Sequence, residues 1–434
     1  MSDFAIGGVG MAVLLALLAF RIPVAFAMFF VGFVGISLLH NPTSAMSLLA
    51  SESFTLASSQ ELVVIPLFIL MGNVATVTGM SRRLYDAAYA IIGSFRGGLA
   101  SATVIGCGGF AALSGSSVAS ALTMGKVSLG EMKRFNYDER LSTGVVAAGG
   151  TLGILIPPST GFVIYAILVE QSIGRLFLAG VLPGILLAGM FILTVTMLCY
   201  WKPEYGPAGP KTTSRQKANA FLGAAPIVGI TLLTIGGIYG GFFSPVEAAA
   251  VGAGLVIVVG ALMGHLSLRG LWSASKESVV TTSSVMLIVM SASLINPFLA
   301  LSHIPQVAGD FLVNLPFPPL VILILILLTY VVLGCFLDSL AMLVLTLPIF
   351  FPVIINFGFD PIWFGVLVVL TLEMGLISPP VGMNVFIVKS VAKDVPLGKI
   401  FAGVMPFMLA MLLTLAVIVA FPQIALILPD TMIN

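Results

Sequence analysis

Long apolar runs dominate this sequence and limit what it can fold into. About 20 apolar residues span the hydrocarbon core of a membrane, and eight runs come close to that length or exceed it. They cover residues 4–20, 22–39, 62–80, 176–200, 220–239, 246–264, 279–301 and 400–428. Only 8% of the 434 residues are charged, against about 25% in ordinary soluble domains. The sequence therefore predicts an all-α polytopic membrane protein, and it excludes cytosolic enzymes, nucleic-acid binders and disulfide-stapled secreted domains.

The distribution of charge predicts an orientation. Basic residues cluster between the apolar runs, and such clusters mark the cytoplasmic side of a membrane. They occupy residues 81–96, 126–140, 202–217, 265–276 and 389–399. Placing both termini in the periplasm puts every Lys and Arg except Arg175 on the cytoplasmic side. Residues 82–95 and 268–277 mix charged with large apolar side chains, which predicts helices lying against lipid headgroups.

One segment occurs twice. Residues 151–158 match residues 373–380 at an offset of 222 (373 − 151), with the glycine and both prolines in register. Transporters are often built from two such halves with opposite orientation in the membrane. We therefore predict inverted repeats.

The Pro-Pro pair in each copy, Pro157-Pro158 and Pro379-Pro380, should break a helix. Proline has no amide hydrogen and clashes with the carbonyl one turn earlier. Carbonyls that lose their hydrogen bonds at membrane depth must face protein, water or a ligand. Na⁺ is a cation that such oxygens can coordinate. The half-helix after the break starts with free N–H groups that suit an anion. Each break therefore predicts a cation site beside an anion site.

A second pattern precedes each break. Residues 97–129 are apolar with Ser114-Gly115-Ser116-Ser117 near the middle, and residues 320–355 are apolar with Gly334 and Asp338-Ser339 mid-run. Both ends of each segment lie on one side in the predicted orientation. We expect two re-entrant helical hairpins that enter from opposite faces, with their polar tips meeting near the midplane.

The sequence contains no motif that supports an enzymatic function. Gly125-Lys126 does not complete a phosphate-binding loop, and the three histidines are scattered. No His or Lys is placed to activate Ser116 or Ser117, so we expect no catalytic residues and no cofactor. The three cysteines show no paired spacing. Asp338 and Glu373 lie inside apolar runs, where an acid is either functional or satisfied by local hydrogen bonds; both interpretations stay open.

At these residues the chain resembles a known family. The Ser-Gly-Ser-Ser tip, the two Gly-to-Pro-Pro breaks, the Phe-Ser-Pro-x-Glu-Ala-Ala-Ala segment at residues 243–250 and the total length resemble the large, DctM-like membrane subunit of tripartite ATP-independent periplasmic (TRAP) transporters. The resemblance implies an elevator-type Na⁺ symporter in the bacterial inner membrane, which takes up carboxylates such as C4-dicarboxylates, sialic acid or sugar acids. The implied partners are a periplasmic solute-binding protein and a small four-helix, DctQ-like membrane subunit.

The same resemblance implies site residues. One Na⁺ site would use Ser114, Ser116, Gly153, Ile156 and Pro158. The other would use Gly334, Gly375, Ser378 and Val381. On geometry alone, we also predict that the substrate carboxylate contacts Ser117, Thr160 and Asn384. Because Ser378 stands where the first half has Ile156, the two Na⁺ sites need not be equivalent.

The expected organisation is a scaffold and a mobile transport unit. Residues 1–95 and 218–315 would form the scaffold, residues 96–200 and 316–434 the transport unit, and residues 201–217 a cytoplasmic loop. Two other functions remain open: a stand-alone Na⁺/dicarboxylate symporter without a binding protein, and a channel-like or structural membrane subunit. The clustering of polar residues at the breaks favours a carrier over a channel.

Overall fold

The computed structural model describes residues 2–20, 22–210 and 212–432, and these form helices and loops. Five residues lie outside the described part: Met1, Arg21, Lys211, Ile433 and Asn434. The prediction that both termini face the periplasm concerns some of these residues. Ten α-helices make up the first half. In chain order, α1 to α10 are Asp3–Ala19, Val24–Leu39, Pro42–Ser58, Val64–Val77, Met80–Ile92, Gly98–Ser114, Ser117–Arg134, Glu139–Leu155, Thr160–Leu168 and Ile173–Trp201.

The second half contains ten more. In the same order, α11 to α20 are Ser214–Tyr239, Pro245–Leu262, Leu268–Leu301, Ile304–Val313, Pro319–Gly334, Ser339–Asn356, Pro361–Ile377, Met383–Val391, Leu397–Ala420 and Gln423–Asp430. Two short 3₁₀ turns, Glu61–Val63 and Pro203–Tyr205, complete the described helical structure.

Six of these helices are long and apolar enough to cross a membrane, and eight spans result if each of two bent helix pairs counts as one. Many large apolar side chains point outward, such as Phe26, Leu232 and Leu409. A protein in water would have to bury much of this surface, whereas lipid accepts it. The prediction of an all-α polytopic membrane protein is confirmed.

The first predicted hairpin and break are both present. Helices α6 and α7 pack against each other and are joined at Gly115-Ser116. Helix α8 ends at Leu155, Ile156 is extended, and α9 starts at Thr160 with a bend of 42°. The break lies where proline removes the amide hydrogens.

The second half repeats this plan. Helices α15 and α16 form the second hairpin around residues 335–338. Helix α17 ends at Ile377, Ser378 is extended, and α18 starts at Met383 after Gly382, whose φ of 61° favours glycine. The Pro-Pro bond is cis in both breaks. The predicted pair of hairpins and broken helices is therefore confirmed.

The remaining helices pack around these units. Helix α13 packs on α2 and α4, and α4 packs on α12. Helix α8 contacts α6, α7 and α19, while α17 contacts α15, α16 and α19. Glu247 and Ser244 form a capping box at the start of α12, in which the Glu247 carboxylate accepts from the Ser244 amide at 2.8 Å and the Ser244 hydroxyl accepts from the Glu247 amide at 3.3 Å.

Two sequence expectations were wrong in detail. Residues 268–277 are not a separate helix along the headgroups but the first turns of α13, which runs without interruption for 34 residues. Its length of about 51 Å, at 1.5 Å per residue, exceeds the hydrocarbon core of about 30 Å. No Gly or Pro lies at the expected boundary near Glu277 to stop the helix. The apolar run 400–428 is likewise divided into α19 and α20 at Phe421-Pro422.

Candidate functional site

The tip of the first hairpin rests directly on the first break. The Gly115 carbonyl accepts hydrogen bonds from the Thr160 hydroxyl at 3.0 Å and from the Thr160 amide at 3.4 Å. Gly115 has a φ of 59°, and a Cβ built on it would lie 2.7 Å from the Pro158 carbonyl oxygen. Only glycine allows this backbone conformation at this approach. Sequence positions 45 residues apart are thereby joined.

The same tip also contacts the end of α8. A Cβ built on Gly153 would lie 2.5 Å from the Ser116 carbonyl oxygen and 2.8 Å from the Ser117 amide nitrogen. The Ser116 hydroxyl caps α7 by accepting from the Ala119 amide at 3.3 Å, and the Ser114 and Ser120 hydroxyls lie 3.1 Å apart. The structure therefore brings together the segments that carry the five residues of the first expected Na⁺ site.

The break leaves oxygens available there. Pro157 and Pro158 have no amide hydrogen, so the carbonyls of Gly153 and Ile154 lack the donor that a continuing helix would supply. Carbonyl and hydroxyl oxygens are hard donors that suit a hard cation. Among the described residues no group of three or more His, Cys, Asp and Glu could hold a metal ion.

The second break makes an equally close but different contact with its hairpin. A Cβ built on Gly375 would lie 2.5 Å from the Gly334 Cα, so the two helices touch backbone to backbone. The Ser378 amide donates to the Gly375 carbonyl at 3.1 Å, and the Ser378 hydroxyl donates to the Met374 carbonyl at 2.7 Å. Val381 is exposed. At the equivalent position of the first break, the Ile156 amide donates to the Leu152 carbonyl. The two breaks therefore leave different carbonyl oxygens without a hydrogen bond.

A buried acid connects the two halves. Glu373 is 1% exposed, and its Oε2 accepts from the hydroxyl of Ser117, in the first tip, at 2.5 Å. The four ion pairs in the described part of the chain join other residues, and Glu373 Oε1 has no partner there. Ser117, which we expected to face the substrate, therefore links the first hairpin to the second repeat.

The other expected substrate contacts lie near the starts of the second half-helices. Thr160 begins α9 and bonds to Gly115, as described above. Asn384 lies in the first turn of α18, is fully buried, and has no partner within the described chain for either amide atom. Buried polar atoms usually have a partner, so Asn384 is a position where a ligand or water would be bound.

Two further polar residues complete the description of the tips. Asp338 caps α16 by accepting from the Leu340 and Ala341 amides at 3.0 and 3.1 Å, which gives this acid a structural role. Ser339 is buried, and its hydroxyl has no hydrogen-bond partner among the described residues. Sequence reasoning located Ser339 in the second tip but did not assign it to a site, although the repeat offset pairs it with Ser117 (117 + 222 = 339).

Comparison with known proteins decides the family. The family model described as "Tripartite ATP-independent periplasmic transporter, DctM component" matches residues 11–424 of the chain. The chain belongs to this family. As a DctM-family protein it is a transporter permease subunit and not an enzyme, which confirms the resemblance drawn from the tip and the breaks.

Curated relatives agree along almost the whole length. The chain is 37% identical over 396 residues to the C4-dicarboxylate TRAP transporter large permease protein DctM of Pseudomonas aeruginosa, covering 91% of each chain. It is 32% identical over 417 residues to the sialic acid TRAP transporter large permease protein SiaM of Vibrio cholerae, covering 96% of each.

The fold is shared with a solved transporter. The crystal structure of the YdaH transporter of Alcanivorax borkumensis matches this DctM-family chain with a TM-score of 0.58 at 15% sequence identity. The match covers 84% of this chain and 86% of that one. At this identity the likeness concerns the fold alone.

Proposed function

We propose that this DctM-family subunit performs Na⁺-coupled uptake of a carboxylate solute across the bacterial inner membrane by an elevator mechanism. The solute is delivered by a periplasmic binding protein, and a small four-helix, DctQ-like membrane subunit completes the complex. The observation that carries the proposal is the seating of each hairpin on its own broken helix, through Gly115 and Gly153 in one half and through Gly334 and Gly375 in the other.

The Na⁺ ions bind at these two contacts. The first ion takes oxygens from Ser114, Ser116, Gly153, Ile156 and Pro158. The second takes oxygens from Gly334, Gly375, Ser378 and Val381. Support comes from the unused carbonyls that the proline pairs create and from the absence of competing N–H donors at Pro157 and Pro158.

The carboxylate binds between the tips. Helices α9 and α18 begin beside the breaks, and free amides at a helix start attract an anion. Thr160 and Asn384 stand at these starts, and Ser117 lies on the adjoining tip. Two Na⁺ bound with one monoanion leave one net positive charge, so transport of a monocarboxylate is electrogenic and gains about 2.3 kcal/mol per charge per 100 mV.

The transport unit comprises residues 96–200 and 316–434 and moves as one body. The Ser117–Glu373 hydrogen bond and the packing of α8 on α19 tie its two halves together. It moves against a scaffold of residues 1–95 and 218–315, with residues 201–217 as a cytoplasmic loop. At their contact a Cβ on Gly72 of α4 would lie 2.6 Å from the Ser114 Cα, and such small-residue interfaces let helices approach closely in membranes.

The substrate class follows the relatives named above, so C4-dicarboxylates, sialic acid and related sugar acids are the candidates. Soluble binding proteins perform much of the selection in such systems. Both termini are proposed to face the periplasm, as the distribution of Lys and Arg indicates.

Uptake by proteoliposomes tests the proposal. The chain is reconstituted with its small subunit, and radiolabelled candidate acids are offered with and without the binding protein, in Na⁺ or in choline. We expect accumulation only with Na⁺ and binding protein together. Accumulation of free solute in Na⁺ alone would instead identify a stand-alone symporter, and passive equilibration without Na⁺ would identify a channel.

A further inference from the structure

A polar cavity lies away from the two breaks. It has a volume of about 210 Å³ and lies between α5 and the first hairpin. Its lining consists of five polar and two apolar side chains: Arg82, Tyr85, Asp86, Tyr89, Glu131, Leu99 and Val127. A cavity of this size has room for a small polar headgroup.

The polar groups in this cavity are incompletely satisfied. Tyr85 is 3% exposed, and its hydroxyl has no hydrogen-bond partner among the described residues. Glu131 is the charged group that acts most strongly on this hydroxyl. A buried phenol without a partner is uncommon, so an external hydrogen-bonding group belongs beside it.

Two carboxylates, Asp86 and Glu131, line the same cavity. Asp86 is an exposed residue whose partial burial raises the pKa of its carboxyl above the ordinary value; Arg82 and Arg83 oppose this shift, and Glu131 adds to it. Glu131 has only a distant ion pair with Arg134, at 3.9 Å, and Asp86 has no ion pair in the described chain. A bound cation would stabilise both carboxylates.

The lining matches a zwitterion better than a metal ion. A primary ammonium has three N–H donors, and the cavity offers three acceptors in Asp86, Glu131 and the Tyr85 hydroxyl. Arg82, which also lines the cavity, presents the planar donor fork that binds phosphate. A divalent metal would meet only two carboxylates, with Arg82 beside them, and would be repelled by that charge.

The surroundings indicate that the zwitterion is attached to a lipid. Helix α5 is amphipathic, and beyond the cavity Ile91 and Phe95 are 48% and 67% exposed. Apolar side chains exposed beside basic and polar ones are typical of a surface at the headgroup boundary. We infer that the cavity lined by Tyr85, Asp86 and Glu131 binds the phosphoethanolamine headgroup of a membrane phospholipid, with the ammonium at these three residues and the phosphate at Arg82.

Native mass spectrometry of the full-length chain tests this inference without any transport measurement. Delipidated protein in mild detergent is titrated with phosphatidylethanolamine, phosphatidylcholine and phosphatidylglycerol of matched chains. We expect phosphatidylethanolamine to bind about tenfold more tightly, because the choline group has no N–H donor and the glycerol group carries no charge. Equal affinities for the three lipids would overturn the inference.

Variants assign the binding to this cavity. The double variant D86N/E131Q should weaken phosphatidylethanolamine binding about tenfold, and Y85F about threefold. D394N/E139Q makes the same charge change at two acids that pair with Lys133 and Lys399 elsewhere, and it should bind as the wild type does. Wild-type affinity in D86N/E131Q contradicts the assignment, and Y85F provides the test if the double variant fails to fold.

A soluble competitor separates the two sources of the headgroup. Free phosphoethanolamine should displace the lipid only at concentrations far above that of phosphatidylethanolamine, because it lacks the acyl chains that hold the lipid at α5. Displacement at equal concentration would show that the cavity serves a soluble zwitterion and would overturn the lipid assignment. Failure of Na⁺-coupled uptake would leave these binding results unaffected.

Discussion

Replacing Gly153 with alanine should remove the first Na⁺ site while leaving the fold intact. The added Cβ would lie 2.5 Å from the Ser116 carbonyl oxygen, whereas ordinary contacts begin at 3.4 Å. The tip must therefore withdraw by about 0.9 Å (3.4 − 2.5). The atoms in the way belong to the backbone of Ser116 and Ser117 and not to the end of a flexible side chain, so the clash cannot be relieved by a rotamer change.

A displacement of this size exceeds what coordination tolerates. Metal–ligand distances must stay within about 0.2 Å of their preferred values, and the tip supplies Ser114 and Ser116 to the proposed site. We expect the apparent Na⁺ affinity of G153A to fall at least tenfold. Overpacking of this kind costs about 1–3 kcal/mol, so the protein should remain folded with a lower melting temperature.

The assay is Na⁺-dependent thermal stabilisation of the purified chain, with NaCl exchanged against KCl at constant ionic strength. A ligand that binds the folded state raises the melting temperature with its concentration, which gives the half-saturating Na⁺ concentration. G189A is the matched control, since Gly189 lies in a helix of the same unit with nothing within 4 Å of an added Cβ. Wild-type Na⁺ dependence in G153A would refute the reasoning.

The remaining predictions concern the second site and the tips. G375A should weaken the second Na⁺ site and spare the first, because its Cβ would lie 2.5 Å from the Gly334 Cα; thermal titration should show a remaining Na⁺ response in G375A alone and none in G153A/G375A. S117A should destabilise the chain by about 1–3 kcal/mol by leaving Glu373 unpartnered, and S117A/E373L should recover part of that loss in the same melting assay. D338A should cost about 0.5–2 kcal/mol through loss of the α16 cap, with less effect from D338N.

Much of this architecture could be predicted because it depends on local chemistry. Proline cannot donate an amide hydrogen, so Pro157 and Pro379 fix where α8 and α17 end whatever surrounds them. The apolar segments with polar residues in mid-run then identified the hairpins that precede the breaks. Contacts between hairpin and break, such as Gly115 with Thr160, follow from that repeated plan.

Other features depend on tertiary packing and were not predictable. The hydrogen bond from Ser117 to Glu373 joins residues 256 positions apart, and no local pattern specifies it. Helix α3 was missed because Pro42–Ser58 is rich in Ser and Thr and has no clear apolar period. The uninterrupted α13 was missed because charges at Lys276 and Glu277 suggested a boundary that no helix-breaking residue enforces.

Equilibrium binding of ²²Na⁺ to the purified chain most directly tests the claim that the two broken helices hold the coupling ions. The account predicts saturable binding of two Na⁺ per chain, with K⁺ unable to compete, one Na⁺ lost in G153A and the other lost in G375A. No saturable binding, or full binding in the G153A/G375A double variant while it remains folded, would contradict it.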